Sequence, residues 1–204
     1  MSKGRLEAFS DGVFSIAITL LVLTIAQPQH FDRLAHDLIE QWPAYAAYVV
    51  SFTVIGIMWF NHHVVFSQIA RVDRTVLFLN LLLLLTIAFL PYPTGVFGEA
   101  LRRGEGTRDA AVAYSIVMSL NAYAWSAMWL YASARRRLLV ETFPEEQRGL
   151  TTMLFSAGSV VYTLTIAIAL VSAYACLAFH GALAVYYAVD PIGQGLRRRR
   201  GGGG

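Results

Sequence analysis

The sequence predicts an all-α integral membrane protein with six transmembrane helices per chain and both termini in the cytoplasm. Three observations lead there. Of the 204 residues, 56% are hydrophobic and only 14% charged, with a mean hydropathy of +0.53. Apolar runs recur at the length of about 20 residues that a bilayer crossing requires. Lysine and arginine crowd into alternate connections between those runs, as the positive-inside rule expects.

The spans fall at about residues 8–26, 43–66, 75–97, 110–133, 150–170 and 172–189. From Val13 to Leu23 the first has only Ser15 and Thr19 as polar positions, yet its entrance carries Arg5, Glu7, Ser10 and Asp11. Its partly acidic flank and the poor cleavage site at Ala26-Gln27-Pro28 argue for a retained helix rather than a removed leader. Pro91 and Pro93 end or kink the third span at its outer end, where lost backbone hydrogen bonds meet water. Residues 150–189 are too long for one crossing and fold back near Ser172–Tyr174. Residues 1–190 thus read as a single transmembrane domain. The remainder, 191–204, is a basic, glycine-rich tail of a kind that expression vectors leave behind. Trp42, Tyr45, Tyr48, Trp125, Trp129, Tyr186 and Tyr187 read as interfacial anchors or packing. His30 and His36 read as solvated outer-loop residues.

Orientation follows from the cations. Lys3, Arg5, Arg71, Arg74, Arg135, Arg136, Arg137, Arg148 and the run Arg197 to Arg200 share one side, against Arg33, Arg102, Arg103 and Arg108 on the other. Without the terminal run the bias is still eight to four. The pI of 9.2 therefore reports topology, and no basic patch interleaved with stacking aromatics points to nucleic acid. The lone Cys176 allows no intrachain disulfide.

Depth brings the polar residues of the first three spans together. An aspartate costs roughly 2.5–3.5 kcal/mol at the middle of a membrane helix, so Asp11 needs partners. If the first helix enters near Glu7, Asp11 lies about 6 Å inside, at 1.5 Å per residue. The second span leaves near Phe66 and brings His62 and His63 to that level; the third re-enters near Thr75 and brings Asn80. Arg5 reaches the layer from the interface by snorkelling. Groups of this kind in apolar surroundings are driven to pair.

The helical angle separates a second face. With Asp11 at 0° and about 100° per residue, Thr19 falls at about 80°, Leu23 at about 120°, Ile16 at about 140° and Leu20 at about 180°. If Asp11 faces the sibling helices, this stripe faces lipid, a further helix, or an axis shared between copies. Catalysis is a poor fit to the polar cluster. Adjacent histidines project about 100° apart and do not chelate as an i, i+4 pair does, and no nucleophile or third ligand stands near. A proton path or a secondary transporter using Asp11 and His62 or His63 stays open.

Several motifs occur in order: Arg5, Phe9-Ser10-Asp11, the Ile16/Thr19/Leu23 spacing, Trp59-Phe60-Asn61-His62-His63 with Phe66, Asn80, and Phe89-Leu90-Pro91-Tyr92-Pro93-Thr94. Over residues 5–95 this resembles the endolysosomal potassium-channel family that lacks the usual potassium filter sequence, in its bacterial single-repeat form. The resemblance implies a six-helix unit, four copies around an axis, and a pore lined by the first helix. It also implies a constriction at the positions of Ile16, Thr19 and Leu23. Phe9, Ser10 and Asp11 would support packing on the second helix through a network with Trp59, His62, His63 and Asn80. Proton permeability occurs among the animal members. The chain has no TVGYG loop, so no rigid carbonyl cage is available. A ring of Ile16 would close by dewetting, with Thr19 hydroxyls as oxygen ligands one turn beyond. The expectation is a homotetrameric, modestly selective potassium channel of the bacterial inner membrane, with the permeant ion and no cofactor.

Overall fold

The computed structural model describes residues 2–28, 31–135 and 138–188, the side chains of residues 146 and 147 excepted. The expected tail and residues His30, Arg136, Arg137 and Val189 lie outside the described residues. Among the described residues the chain is helical, apart from an isolated bridge between Ile69 and Leu139.

The elements are α1 (Lys3–Leu20), α2 (Leu34–Glu40), α3 (Trp42–Ser67), α4 (Arg74–Phe89), α5 (Pro91–Arg103), α6 (Thr107–Ala134), α7 (Glu145–Val171) and α8 (Ala173–Ala188). Among the described residues four segments are long and apolar enough to cross a membrane: Lys3–Thr24, Trp42–Ser67, Arg74–Arg103 and Arg148–Val171. The 16-residue α8 is apolar but shorter. The 28-residue α6 carries four serines and Asn121 along its length and is not one of the four.

Local chemistry sets the boundaries. α1 gives way to a 3-10 turn over Leu21–Thr24, so the regular helix stops short of the expected residue 26. Side chains three apart eclipse in a 3-10 turn, which swings Leu23 towards the line of Leu20. Asp73 caps α4 by accepting from the Val76 amide at 2.9 Å, and its other oxygen accepts from the Tyr131 hydroxyl at 2.8 Å, tying α4 to α6. At Pro91 the helix breaks and resumes as α5, so the prolines kink the third segment and the chain stays helical to Arg103. Gly104 and Gly106, both at positive φ, turn the chain from α5 into α6. Ser172 is extended between α7 and α8, and its hydroxyl accepts from the Ala175 amide at 3.2 Å.

α6 is the centre of the subunit rather than part of an outer wall. It packs on α4, α5, α7 and α8, and Trp125 and Trp129 are buried there instead of standing at an interface. Its join with α7 is a ladder of hydroxyls. Ser126 and Ser159 meet at 2.7 Å, Ser119 donates to the Tyr162 carbonyl at 3.0 Å, and the Trp129 indole donates to Thr152 at 2.9 Å. Small residues let such backbones approach, and buried hydroxyls then find partners across the interface. Glycine does the same for α5. A Cβ on Gly98 would stand 2.9 Å from the Ala44 Cα, and one on Gly95 would stand 2.7 Å from the Thr24 Cβ. The second contact seats the far end of the first segment.

Candidate functional site

α1 divides into two faces. Leu6, Ser10, Phe14 and Ala17, followed by Leu21, form the buried stripe. Their spacing of i, i+4, i+8, i+11 and i+15 is that of one helix face. The opposite side is open: Ile16 is 60% exposed, Leu20 41% and Leu23 76%, against 0% for Leu21. Gly12, Ser15 and Thr19 share that open side.

Ser10, and not Asp11, is the centre of the buried face. The His62 Nε2–H donates to the Asn80 Oδ1 at 2.9 Å. The Asn80 amide donates to the Ser10 Oγ at 3.0 Å. Ser10 in turn donates to the Leu6 carbonyl at 2.9 Å. The three side chains are buried and the donors run in one direction, so each of these hydrogens has an acceptor. Burial without such partners would be costly. α1, α3 and α4 are thereby joined through one amide. The His62 ring is fixed by aromatic neighbours as well. It stacks on Phe66 at 4.2 Å and meets Phe14 edge-on at 5.4 Å and Trp125 at 6.1 Å.

Asp11 sits one step round from Ser10, on the edge between the two faces. It is exposed in the single chain and accepts from the Trp59 indole at 2.9 Å. Trp59 is on α3 three residues before His62, so α1 meets that helix through Asp11 and Trp59, while His62 holds Asn80 of α4. Of the remaining expected members, Phe9 is 53% exposed, and Arg5 and His63 are exposed. Neither Arg5 nor His63 makes a hydrogen bond or ion pair among the described residues. The neighbours Phe14 and Phe66 could have been found in sequence from their i+4 spacing to Ser10 and His62. Trp125, brought in from α6, left no such signal.

On the open face, the Thr19 hydroxyl donates back to the Ser15 and Ile16 carbonyls at 3.0 and 2.9 Å. Its hydrogen is used within the helix, which leaves the oxygen lone pairs free to face outward. The exposed side of α4 contrasts with this. Phe78, Leu81, Leu82, Leu85 and Phe89 stand there with no polar group among them.

Residues 5–91 match the family model described as endosomal/lysosomal potassium channel TMEM175. The chain is 49% identical over 192 residues to a potassium channel of Streptomyces collinus, covering 93% of each chain. It superposes on the crystal structure of a lysosomal potassium-selective channel TMEM175 homologue from Chamaesiphon minutus with a TM-score of 0.83 and 36% identity, covering 92% of this chain and 96% of that one. It is also 31% identical over 153 residues to the endosomal/lysosomal proton channel TMEM175 of Gallus gallus, across 70% of this chain and 30% of that protein.

Proposed function

Since the chain belongs to the TMEM175 potassium-channel family, we propose that it is a potassium-permeable channel whose path is lined by α1 from four copies around one axis. In this reading six segments cross the bacterial cell membrane, and the basic loops and both termini face the cytoplasm. The observation that carries it is the composition of the open face of α1. A lipid-facing surface has no use for Gly12, Ser15 and Thr19 among its leucines, and beyond its first turn, from Phe78 to Phe89, the exposed face of α4 has no such residues. A surface that meets water and ions in a narrow passage needs both kinds.

The chemistry then assigns roles along α1. Ile16 narrows the path with a ring of branched apolar side chains, and Leu20 and Leu23 continue it. Thr19 lies about 4.5 Å further along the axis at 1.5 Å per residue. Its oxygen lone pairs replace part of an ion's water shell. Hydroxyls on a helix are a softer cage than fixed backbone carbonyls, so discrimination of potassium from sodium is modest. The Ser10–Asn80–His62 network holds α1 at the angle that keeps this stripe on the axis.

The test is potassium flux from liposomes that hold the purified protein, with sodium or an impermeant cation outside. Ile16→Asn wets the constriction and raises basal flux, while Thr19→Ala lowers the preference for potassium. Unchanged permeation in both variants contradicts a path along α1. Proton permeation is a second reading, favoured by the proton-channel relatives. The same liposomes with a pH gradient and no permeant metal cation separate it. A relay from Asp11 to His62 has little support, because those residues are bonded to Trp59 and Asn80 and not to each other.

A further inference from the structure

A cavity of about 340 Å³ lies between α3, α6, α7 and α8, away from the open face of α1. We propose that it holds an acyl chain of a bilayer phospholipid. Its volume is within the range of small-molecule pockets, about 300–1,000 Å³. Met58, Trp125, Phe155, Val161 and Leu183 stand in its wall, and the polar side-chain groups there are the neutral amides of Asn61 and Asn121, the Trp125 indole and the tyrosine hydroxyls. Asn121 already donates to Thr86 at 2.8 Å.

Shape and charge select the occupant. The part of the lining nearest the outside belongs to Ala157 and Gly158 of α7 and to Tyr186 and Tyr187 of α8. Ala157 and Tyr186 are exposed, and Gly158 and Tyr187 are half-buried. Those two helices form the outer hairpin, so the cavity opens towards the bilayer. Burying hydrocarbon is favourable there only if the chain displaces poorly packed space, since lipid itself is as apolar as the wall. Among the described residues no lysine, arginine or histidine lines the cavity, so the carboxylate of a free fatty acid would have no counter-ion there. A phospholipid keeps its charge at the interface and offers ester carbonyls that neutral donors can bind. Trp125 links the site to the pore-side anchor, because it lines the cavity and also meets the His62 ring.

This inference rests on the bilayer placement above but not on ion conduction, and labelling reads it without any flux. The full chain is reconstituted in liposomes containing a phospholipid with a diazirine in mid-chain, irradiated, and its adducts mapped by peptide mass spectrometry. Adducts are expected on Leu154, Val161 and Leu183. Gly158→Leu fills the cavity; its Cβ meets only the Tyr187 hydroxyl at an ordinary 3.6 Å. Leu183→Trp fills the same space from α8. Both should cut cavity adducts several-fold while adducts on the exposed Val160 and Leu164 persist, which also reports that the variants are folded and inserted. Three results overturn the proposal. Adducts confined to the outward faces, or equal in wild type and both filled variants, show that no chain enters. Labelling only by a diazirine fatty acid assigns the site to that source. Cavity adducts that arise only after truncation beyond Ala188 assign the space to the chain's own C-terminal segment.

Discussion

α1 and α6 are both membrane-length segments, yet they meet their surroundings in opposite ways. Sixteen of the 28 residues of α6 are buried, against four of 18 in α1. α6 is tied to α7 by Ser119, Ser126 and Trp129, one to two turns apart. α1 packs through a single apolar stripe, and among the described residues its side-chain hydrogen bonds to other helices gather near its start, at Ser10 and Asp11, while Thr24 seats on Gly95 at its far end. Between those levels Ile16, Thr19 and Leu20 present a free side. The contrast teaches that α6 is held by burial on most of its surface, while α1 is held on one face by a narrow stripe and a few buried hydrogen bonds and leaves its other face exposed.

The comparison is sharpest at Asn80. Asn80→Leu removes the shared partner of His62 and Ser10; Ser10 keeps the Leu6 carbonyl, but the buried His62 N–H is left without an acceptor, which costs about 1–3 kcal/mol. Thermal unfolding in detergent should show the largest loss of any single polar change, and crosslinking should show α1 turned relative to α3. Gly98→Val should come next, because its branched side chain must push α5 off the Ala44 backbone; overpacking of this kind costs about 1–3 kcal/mol. Trp59→Phe frees Asp11 at the edge of the path, and one exposed hydrogen bond is worth about 1 kcal/mol or less. Its effect should therefore show in the ionic strength dependence of flux more than in stability. The smallest effect belongs to the ladder. Ser126→Ala should cost about 0.6 kcal/mol, the average for a polar contact between membrane helices, because Ser159 keeps the Ala122 carbonyl at 3.1 Å. Equal losses for Asn80→Leu and Ser126→Ala would erase the distinction between anchor and ladder.

Much of this was legible from depth and angle. The level shared by Ser10, His62 and Asn80 follows from where three antiparallel spans enter and leave, and the open stripe follows from the 100° step. Asp11 meets the second span through Trp59, as expected. A carboxylate is the costliest group in the stretch and needs a partner most, yet Ser10 takes the interior and Asp11 the border. His62 and His63 could not both join, since neighbours on a helix diverge, and nothing in the sequence chose between them. Arg5 lies in the family pattern yet forms no bond in the single chain. The 3-10 turn at Leu21–Thr24 has no breaker in its own sequence. It coincides with the tight contact to Gly95, a residue some 70 positions away, and tertiary constraints of that kind are invisible locally. The third segment runs to Arg103 because Pro91 is at the first turn of α5, where its missing amide hydrogen costs little. The central place of α6 was hidden by its serines, which lower hydropathy where partners on α7 make them easy to bury.

The central claim is that the open face of α1 lines the ion path, and thiol labelling during flux tests it most directly. In a Cys176→Ala background, single cysteines at Ile16, Thr19 and Leu23 are treated with a cationic thiol reagent while potassium leaves the liposomes. Leu164, exposed on α7, supplies the lipid-facing control. The account predicts that modification at the three α1 positions changes the flux and that modification at residue 164 does not. Flux indifferent to labelling at all three α1 positions, with labelling verified by mass, would contradict it.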